Sequence, residues 1–135
     1  MNSPEVPAGL RTWFLIHFWA DMVFAVPLML APEKFLGFLG WGTVDPVASR
    51  LVAAALFGIG VESLLGRNAG AQTFRAMLNL KIIWSGAAII ALGIGVAQEG
   101  RPITMIFLAI FAGFSALWIY YRWQLQSGAV STSKS

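Results

Sequence analysis

Four long apolar stretches constrain this chain more than any other feature of its sequence. They cover 12–31, 46–66, 73–97 and 102–123, and each is close to the roughly 20 apolar residues that a helix needs to cross a bilayer. Charged residues make up only 11% of the chain, whereas soluble domains contain about 25%. The sequence therefore predicts four membrane-spanning helices, since a helix satisfies its own backbone hydrogen bonds in lipid.

The connections between the stretches predict an all-α integral membrane protein, an antiparallel bundle of four transmembrane helices within a single domain, 1–127. The turn at 67–70 is too short for anything but antiparallel neighbours. Segment 33–41 is too short to span and is rich in Phe, Leu and Trp, which predicts a short interfacial helix between spans one and two. The small, polar residues 128–135 are predicted to form a disordered tail.

Local signals mark the ends of the spans. Asp45 before Pro46 is a favourable N-cap followed by proline at the first helical position. Pro27 lies inside the first span, where it should kink the helix or end its regular part. The first span has no evident small-residue cleavage site, and we interpret it as a retained helix rather than a cleaved signal peptide.

The distribution of basic residues predicts the orientation in the membrane. With four spans, both termini lie on the same side as the loop after span two. That side carries Arg11, Arg67, Arg75, Arg122 and Lys134, and the other carries Lys34, Arg50 and Arg101. By the positive-inside rule, both termini are cytoplasmic.

Polar side chains within the spans are functional candidates by default, because a charge in hydrocarbon is costly. The candidates for a ligand site or a proton path in the cytoplasmic half are His17, Asp21, Glu62, Lys81 and Tyr120. Secondary polar contacts are Arg75 and Asn79. An alternative interpretation is that these groups form buried ion pairs that only fix helix register.

The depths of the charged side chains in the membrane predict two ion pairs between spans. At 1.5 Å of rise per residue, Asp21 lies roughly 15 Å and Lys81 roughly 13 Å from the cytoplasmic end. Similar depths predict the pairs Asp21 with Lys81 and Glu62 with Arg75. Lys81 has a second option, which is to extend its ammonium group toward the cytoplasmic surface.

Helical rotation refines the orientation of the candidates. His17 and Asp21 are four residues apart and share one face of the first span. Glu62 shares a face with Ala54, Ala55 and Gly58, and Tyr120 shares one with Ala109, Gly113 and Ala116. Because small residues allow helices to approach closely, both side chains are predicted to point into the bundle.

Several function classes are excluded or disfavoured by composition. The chain has no cysteine and one histidine, so we predict no metal site. No cofactor is predicted, although a quinone or lipid remains a candidate ligand. The basic residues form no cluster, so we predict no nucleic-acid partner. The expected partners are the lipid bilayer and either further copies of the chain or a larger membrane complex.

One stretch resembles a known group of proteins. Ala31-Pro32-Glu33 leads to Leu36-Gly37, and Asp45-Pro46 leads to 50–55 and to Gly58-Ile59-Gly60. This pattern, over about 30–66, is similar to the small bacterial four-helix membrane proteins of the broad DoxX-like group. The resemblance implies a four-helix bundle in a prokaryotic inner membrane, and some relatives are linked to quinone-coupled sulfur oxidation or act as accessory subunits. It carries over no catalytic residue.

Three functions are compatible with this sequence. The first is a small membrane protein that binds a lipid, a quinone or a partner subunit through the polar cluster. The second is a proton- or cation-coupled transporter acting as a homodimer, with Asp21 as the coupling carboxylate and His17 as a relay. The third is a membrane enzyme on a lipid substrate, with His17 or Glu62 as general base. No spacing requires catalysis, so a binding role is favoured.

Overall fold

The computed structural model describes residues 5–132, with side chains through residue 128. The helices are α1 (Ala8–Leu30), α2 (Pro32–Phe38), α3 (Pro46–Leu65), α4 (Ala71–Glu99) and α5 (Pro102–Thr132), and a single 3-10 turn follows α3 at Gly66–Asn68. The described residues contain no strand. The prediction of an all-helical protein is confirmed.

Four of these helices, α1, α3, α4 and α5, are long and apolar enough to cross a membrane. Many of their large apolar side chains are exposed, among them Leu30, Leu51, Ile83 and Ile90, each at least 67% accessible. Exposed apolar surface on this scale is unfavourable in water and favourable in lipid. The prediction of four candidate spans is confirmed, and it points to an integral membrane protein.

The chain divides into two compact units, and each is described by itself. The first comprises Ala8–Asn68, and the described part of the second comprises 5–7 and 69–132.

In the first unit, α1 packs along α3. Its buried apolar residues include Leu10, Phe14, Ala25 and Leu28 of α1 and Ala53 of α3. Two arginines form hydrogen bonds that link the two ends of this helix pair. The Arg11 guanidinium donates to the Arg67 carbonyl at 2.7 Å, and Arg50 Nε donates to the Met29 carbonyl at 3.1 Å.

Proline and aspartate residues mark where the later helices of this unit begin. Pro27 does not end α1, which continues to Leu30. The chain then changes direction at Ala31, and Pro32 begins α2. Asp45 is the N-cap of α3, as predicted. Its Oδ1 accepts hydrogen bonds from the backbone N–H groups of Val47 at 2.8 Å and Ala48 at 3.1 Å.

In the second unit, α4 packs along α5. Phe74, Leu78, Trp118 and Leu125 are among its most deeply buried side chains. Gly100 ends α4 in a left-handed conformation, with φ of 62°, and its N–H donates to the Val96 carbonyl. A residue with a side chain rarely adopts this conformation, which explains glycine at the reversal between the two helices.

The C-terminal helix is longer than the fourth predicted span. That span ended at 123, with a disordered tail from 128, whereas the helical backbone of α5 continues to Thr132. The remainder of the predicted tail, 133–135, lies outside the described residues. The physical reason is composition: residues 124–127 include Gln, Leu and Gln, which are good helix formers once a helix has begun.

The N-cap of α3 gives a direct test of this structure. Replacing Asp45 with alanine removes the acceptor of two backbone N–H groups, and we expect it to lower the free energy of unfolding by about 1 kcal/mol. Asp45→Asn retains an acceptor oxygen and should stay close to the original stability. Thermal unfolding in detergent, followed by circular dichroism, measures both. Equal destabilisation by the two variants would contradict a hydrogen-bonded cap.

Candidate functional site

The first unit contains a buried ionisable pair on α1. His17 and Asp21 have only 9% and 6% of their surfaces exposed. His17 Nδ1 lies 3.0 Å from Asp21 Oδ2, one helical turn along the same face. Such a pair can hold or pass on a proton, because an imidazole nitrogen and a carboxylate oxygen can each bind one.

Asp21 Oδ2 is a buried oxygen that accepts no hydrogen bond from the described residues. Despite its distance of 3.0 Å from His17 Nδ1, it takes part in no hydrogen bond with the described residues. A buried acceptor without a hydrogen bond costs about 1–3 kcal/mol, and such groups in native structures call for a specific explanation.

Gly60 of α3 covers the carboxylate of Asp21. A Cβ atom at position 60 would lie 2.8 Å from Asp21 Cβ, 3.0 Å from Met22 Cε and 3.2 Å from Asp21 Oδ2. No real side chain tolerates such contacts, so only glycine lets the α3 backbone approach Asp21 this closely. Gly60 therefore positions the carboxylate, and the sequence analysis did not identify it.

Within the first unit, Glu62 does not face α1, and its orientation into a four-helix bundle stays a prediction. Glu62, Ala54 and Gly58 are exposed, and α3 instead buries the face that carries Ala53, Gly60 and Ser63. The physical reason is that α3 has small residues on both faces, so their presence does not identify the face that packs against α1.

Tyr120 likewise does not belong to the buried face of its own unit, and its orientation into a four-helix bundle stays a prediction. It is 50% exposed, and its hydroxyl accepts a hydrogen bond from Gln124 Nε2 at 2.7 Å on the same helix. The small residues on its face, Ala109, Gly113 and Ala116, are also exposed. The buried face of α5 carries larger side chains, Trp118 and Leu125 among them.

The second unit buries Lys81 against an aromatic ring. Lys81 has 3% of its surface exposed, and its Nζ lies 5.1 Å from the ring centroid of Trp118. Trp118 is itself 1% exposed and stacks on Phe114 at 5.7 Å between ring centroids. Lys81 therefore does not extend to the surface. A cation over a tryptophan face gains about 2 kcal/mol or more when it is desolvated.

Trp118 is a further residue that the sequence reasoning missed. Tryptophans near the ends of spans are commonly interfacial, but Trp118 belongs to the core of the second unit. A usable signal was its spacing: Ser115, Trp118 and Leu125 are buried and lie three and seven residues apart. That spacing is the pattern of one packed helix face.

The secondary polar residues hold α4 to α5. Arg75 Nη2 donates to the Leu125 carbonyl at 2.8 Å, and Arg122 Nε donates to Asn79 Oδ1 at 2.8 Å. The predicted pairs of Asp21 with Lys81 and of Glu62 with Arg75 each join residues of different units, and they stay predictions.

Neither a search for metal-binding groups nor comparison with known proteins assigns a role to these residues. Within the described residues, no group of three or more His, Cys, Asp or Glu side chains is placed to hold a metal ion. No protein-family model, curated protein or solved structure matches the chain. The function has to follow from the residues themselves.

Gly60→Ala tests the packing that encloses Asp21. The added methyl group must displace the carboxylate or move α3, which we expect to cost about 1–3 kcal/mol and to change the surroundings of His17. Because His17 is the one histidine of the chain, its Cε1–Hε1 signal in an NMR spectrum of the detergent-solubilised protein is unambiguous. We expect Gly60→Ala to shift that signal and to lower the unfolding temperature.

Gly58→Ala is the matched control, because a Cβ at position 58 would meet no atom within 4 Å. It should leave the His17 signal unchanged and should not lower the unfolding temperature, which the higher helix propensity of alanine can only raise slightly. Equal effects of the two substitutions would contradict a specific contact between position 60 and Asp21.

Proposed function

We propose that this chain is a small membrane protein that binds a quinone, a lipid or a partner subunit through His17 and Asp21. The observation that supports the proposal most directly is Asp21 Oδ2, which is buried and takes part in no hydrogen bond with the described residues. A hydroxyl or N–H donor of a bound molecule would satisfy that oxygen. A quinol hydroxyl, a lipid headgroup hydroxyl and a donor from another subunit all have this chemistry.

The proposal narrows the polar cluster that the sequence predicted. His17 and Asp21 remain its centre, whereas the exposed Glu62 and Tyr120 lie outside it. Lys81 belongs to the second unit, where its ammonium group contacts the Trp118 ring. The ligand therefore has to be recognised mainly by one imidazole and one carboxylate, which suits a small hydrogen-bonding headgroup.

The proposed membrane arrangement is an antiparallel set of four spans in a prokaryotic inner membrane, with both termini cytoplasmic and α2 at the interface. Arg11 near the start of α1 bonds to Arg67 after α3, and Arg50 near the start of α3 bonds to Met29 near the end of α1. These contacts support opposite directions for α1 and α3. Membership of the DoxX-like group is part of the same proposal.

Proton-coupled transport by a homodimer is the second candidate. It is favoured by the same pair, because a buried carboxylate beside an imidazole forms a two-step proton path along one helix face. Under this hypothesis, Asp21 takes up and releases the transported proton, and Oδ2 is the atom that binds it.

Asp21→Asn separates these functions from a purely structural pair. For a binding site, native mass spectrometry of the protein in mild detergent should show a defined quinone or lipid mass, or a partner subunit, that the variant loses while remaining folded. For a transporter, the protein should be a homodimer without bound mass, and the variant should lose proton flux in liposomes. For a structural pair, only the unfolding temperature should change.

Glu62→Gln is the control for this substitution. It removes the same charge from an exposed carboxylate on α3, so bound mass and flux should persist. If both variants lose the ligand equally, binding depends on overall charge and the assignment to Asp21 fails.

Single cysteines test the proposed topology. The chain contains no cysteine, and positions 34 and 68 are both exposed. In spheroplasts, a membrane-impermeant maleimide should label Lys34→Cys and leave Asn68→Cys unlabelled until the membrane is opened. Labelling of both positions from the same side would exclude four spans with cytoplasmic termini.

A further inference from the structure

Two arginines join α4 to α5 at one end of the second unit. Arg75 donates to the Leu125 carbonyl, and Arg122 donates to the Asn79 side chain. Arg75 and Asn79 are four residues apart on α4, and Arg122 and Leu125 are three residues apart on α5. The two hydrogen bonds are therefore about one helical turn apart on both helices, which brings two guanidinium groups to the same end of this helix pair.

These guanidinium groups have unused hydrogen-bond donors. A guanidinium carries five N–H donors and no acceptor. Arg75 Nε and Arg122 Nη1 are buried and have no acceptor among the described residues. A buried donor without a partner costs free energy comparable to a lost hydrogen bond, so both arginines are incompletely satisfied by their own unit.

The positive charge at this end is also uncompensated within the unit. From residue 69 onward, Glu99 is the one acidic residue in the sequence. Glu99 lies at the far end of α4 and forms an ion pair with Arg101 at 2.7 Å. Glu5, the other acidic residue of this unit, is exposed. Among the described residues, neither Arg75 nor Arg122 forms an ion pair with a carboxylate. Partly buried cations without a counter-charge are costly, and an external anion would lower that cost.

We propose that Arg75 and Arg122 form a binding site for a phosphoryl anion. The planar guanidinium matches the oxygens of a phosphate group, to which it can donate two parallel hydrogen bonds. Both side chains are half-buried, so part of each remains open to a ligand. This site is independent of His17 and Asp21, and it uses charge rather than a proton-carrying pair.

An anionic phospholipid headgroup is the source that the surroundings favour. Trp123 follows Arg122 directly and is 64% exposed, and exposed tryptophans in membrane proteins concentrate at the headgroup level. Arginines near the membrane surface attract anionic lipids. Free inorganic phosphate has the same binding chemistry, and the experiment has to distinguish the two sources.

Lipid titration of the full chain in mild detergent, read by native mass spectrometry, tests the site. The original protein should bind phosphatidylglycerol more tightly than phosphatidylcholine. Arg75→Gln and Arg122→Gln should each weaken phosphatidylglycerol binding by about tenfold or more, because hydrogen bonds to charged groups contribute about 1.5–3 kcal/mol. Circular dichroism verifies that both variants remain helical, and Arg122→Lys, which keeps the charge, should recover part of the binding.

Arg50→Gln is the matched control. Arg50 also donates one hydrogen bond to a backbone carbonyl, that of Met29, and its loss removes the same charge from the first unit. It should leave phosphatidylglycerol binding unchanged. Equal weakening by all three substitutions would overturn the proposal, because binding would then follow net charge alone.

A titration with inorganic phosphate distinguishes a lipid headgroup from a free anion as the ligand of this site. If millimolar phosphate raises the unfolding temperature of the original protein but not of Arg122→Gln, while lipid has no preference, the site takes a free anion. If neither probe binds, the proposal is overturned. Anion binding that appears only after Glu62→Gln would also overturn it, because Arg75 would then pair with Glu62, as predicted from the sequence.

Discussion

The absence of hydrogen-bond partners in hydrocarbon is the constraint on which the rest of this structure depends. It requires helical backbone in every span, and it makes each ionisable side chain within a span seek a partner from the protein. Asp21 lies beside His17, and Lys81 lies over the Trp118 ring. In both cases the charged group is more than nine-tenths buried, so its surroundings are protein rather than lipid.

The two buried charges are accommodated in different ways, with different consequences. The Lys81 ammonium faces an aromatic surface, and this contact is non-directional and needs no acceptor. The Asp21 carboxylate has a close imidazole and a glycine backbone against it, but its Oδ2 still makes no hydrogen bond with the described residues. Asp21 is therefore the buried charge that still lacks a hydrogen-bond partner. This is the physical reason for proposing that it binds a ligand or a proton.

The sequence was sufficient to predict the helices, because their limits depend on hydropathy and on a few local residues. Asp45 and Pro46 begin α3, and Gly100 ends α4. It was also sufficient for the pairing of His17 with Asp21, since a spacing of four residues places both on one face of a helix.

Helix rotation could not be predicted in the same way. A membrane helix is apolar on all sides, so periodicity does not distinguish the face that meets protein from the face that meets lipid. Gly58 and Gly60 are equally small, yet only Gly60 packs against Asp21. For this reason the sequence did not show that Glu62 lies off the face of α3 that packs on α1, or that Tyr120 lies off the buried face of α5. The packing of Gly60 and Trp118 was missed for the same reason.

The distribution of charge over the chain explains why two different kinds of site arise. Segment 8–68 contains as many acidic as basic side chains, whereas segment 69–135 contains Glu99 against Arg75, Lys81, Arg101, Arg122 and Lys134. With Glu5, which lies before both segments, these residues give the formal net charge of +3. The positive excess and the pI of about 9.8 therefore originate in the second helix pair. A balanced unit can bury a carboxylate for hydrogen bonding and proton exchange, while an unbalanced one has to draw its counter-charge from outside. The site proposed at Asp21 in the first unit and the anion site proposed at Arg75 and Arg122 in the second are thus both consistent with this partition of charge.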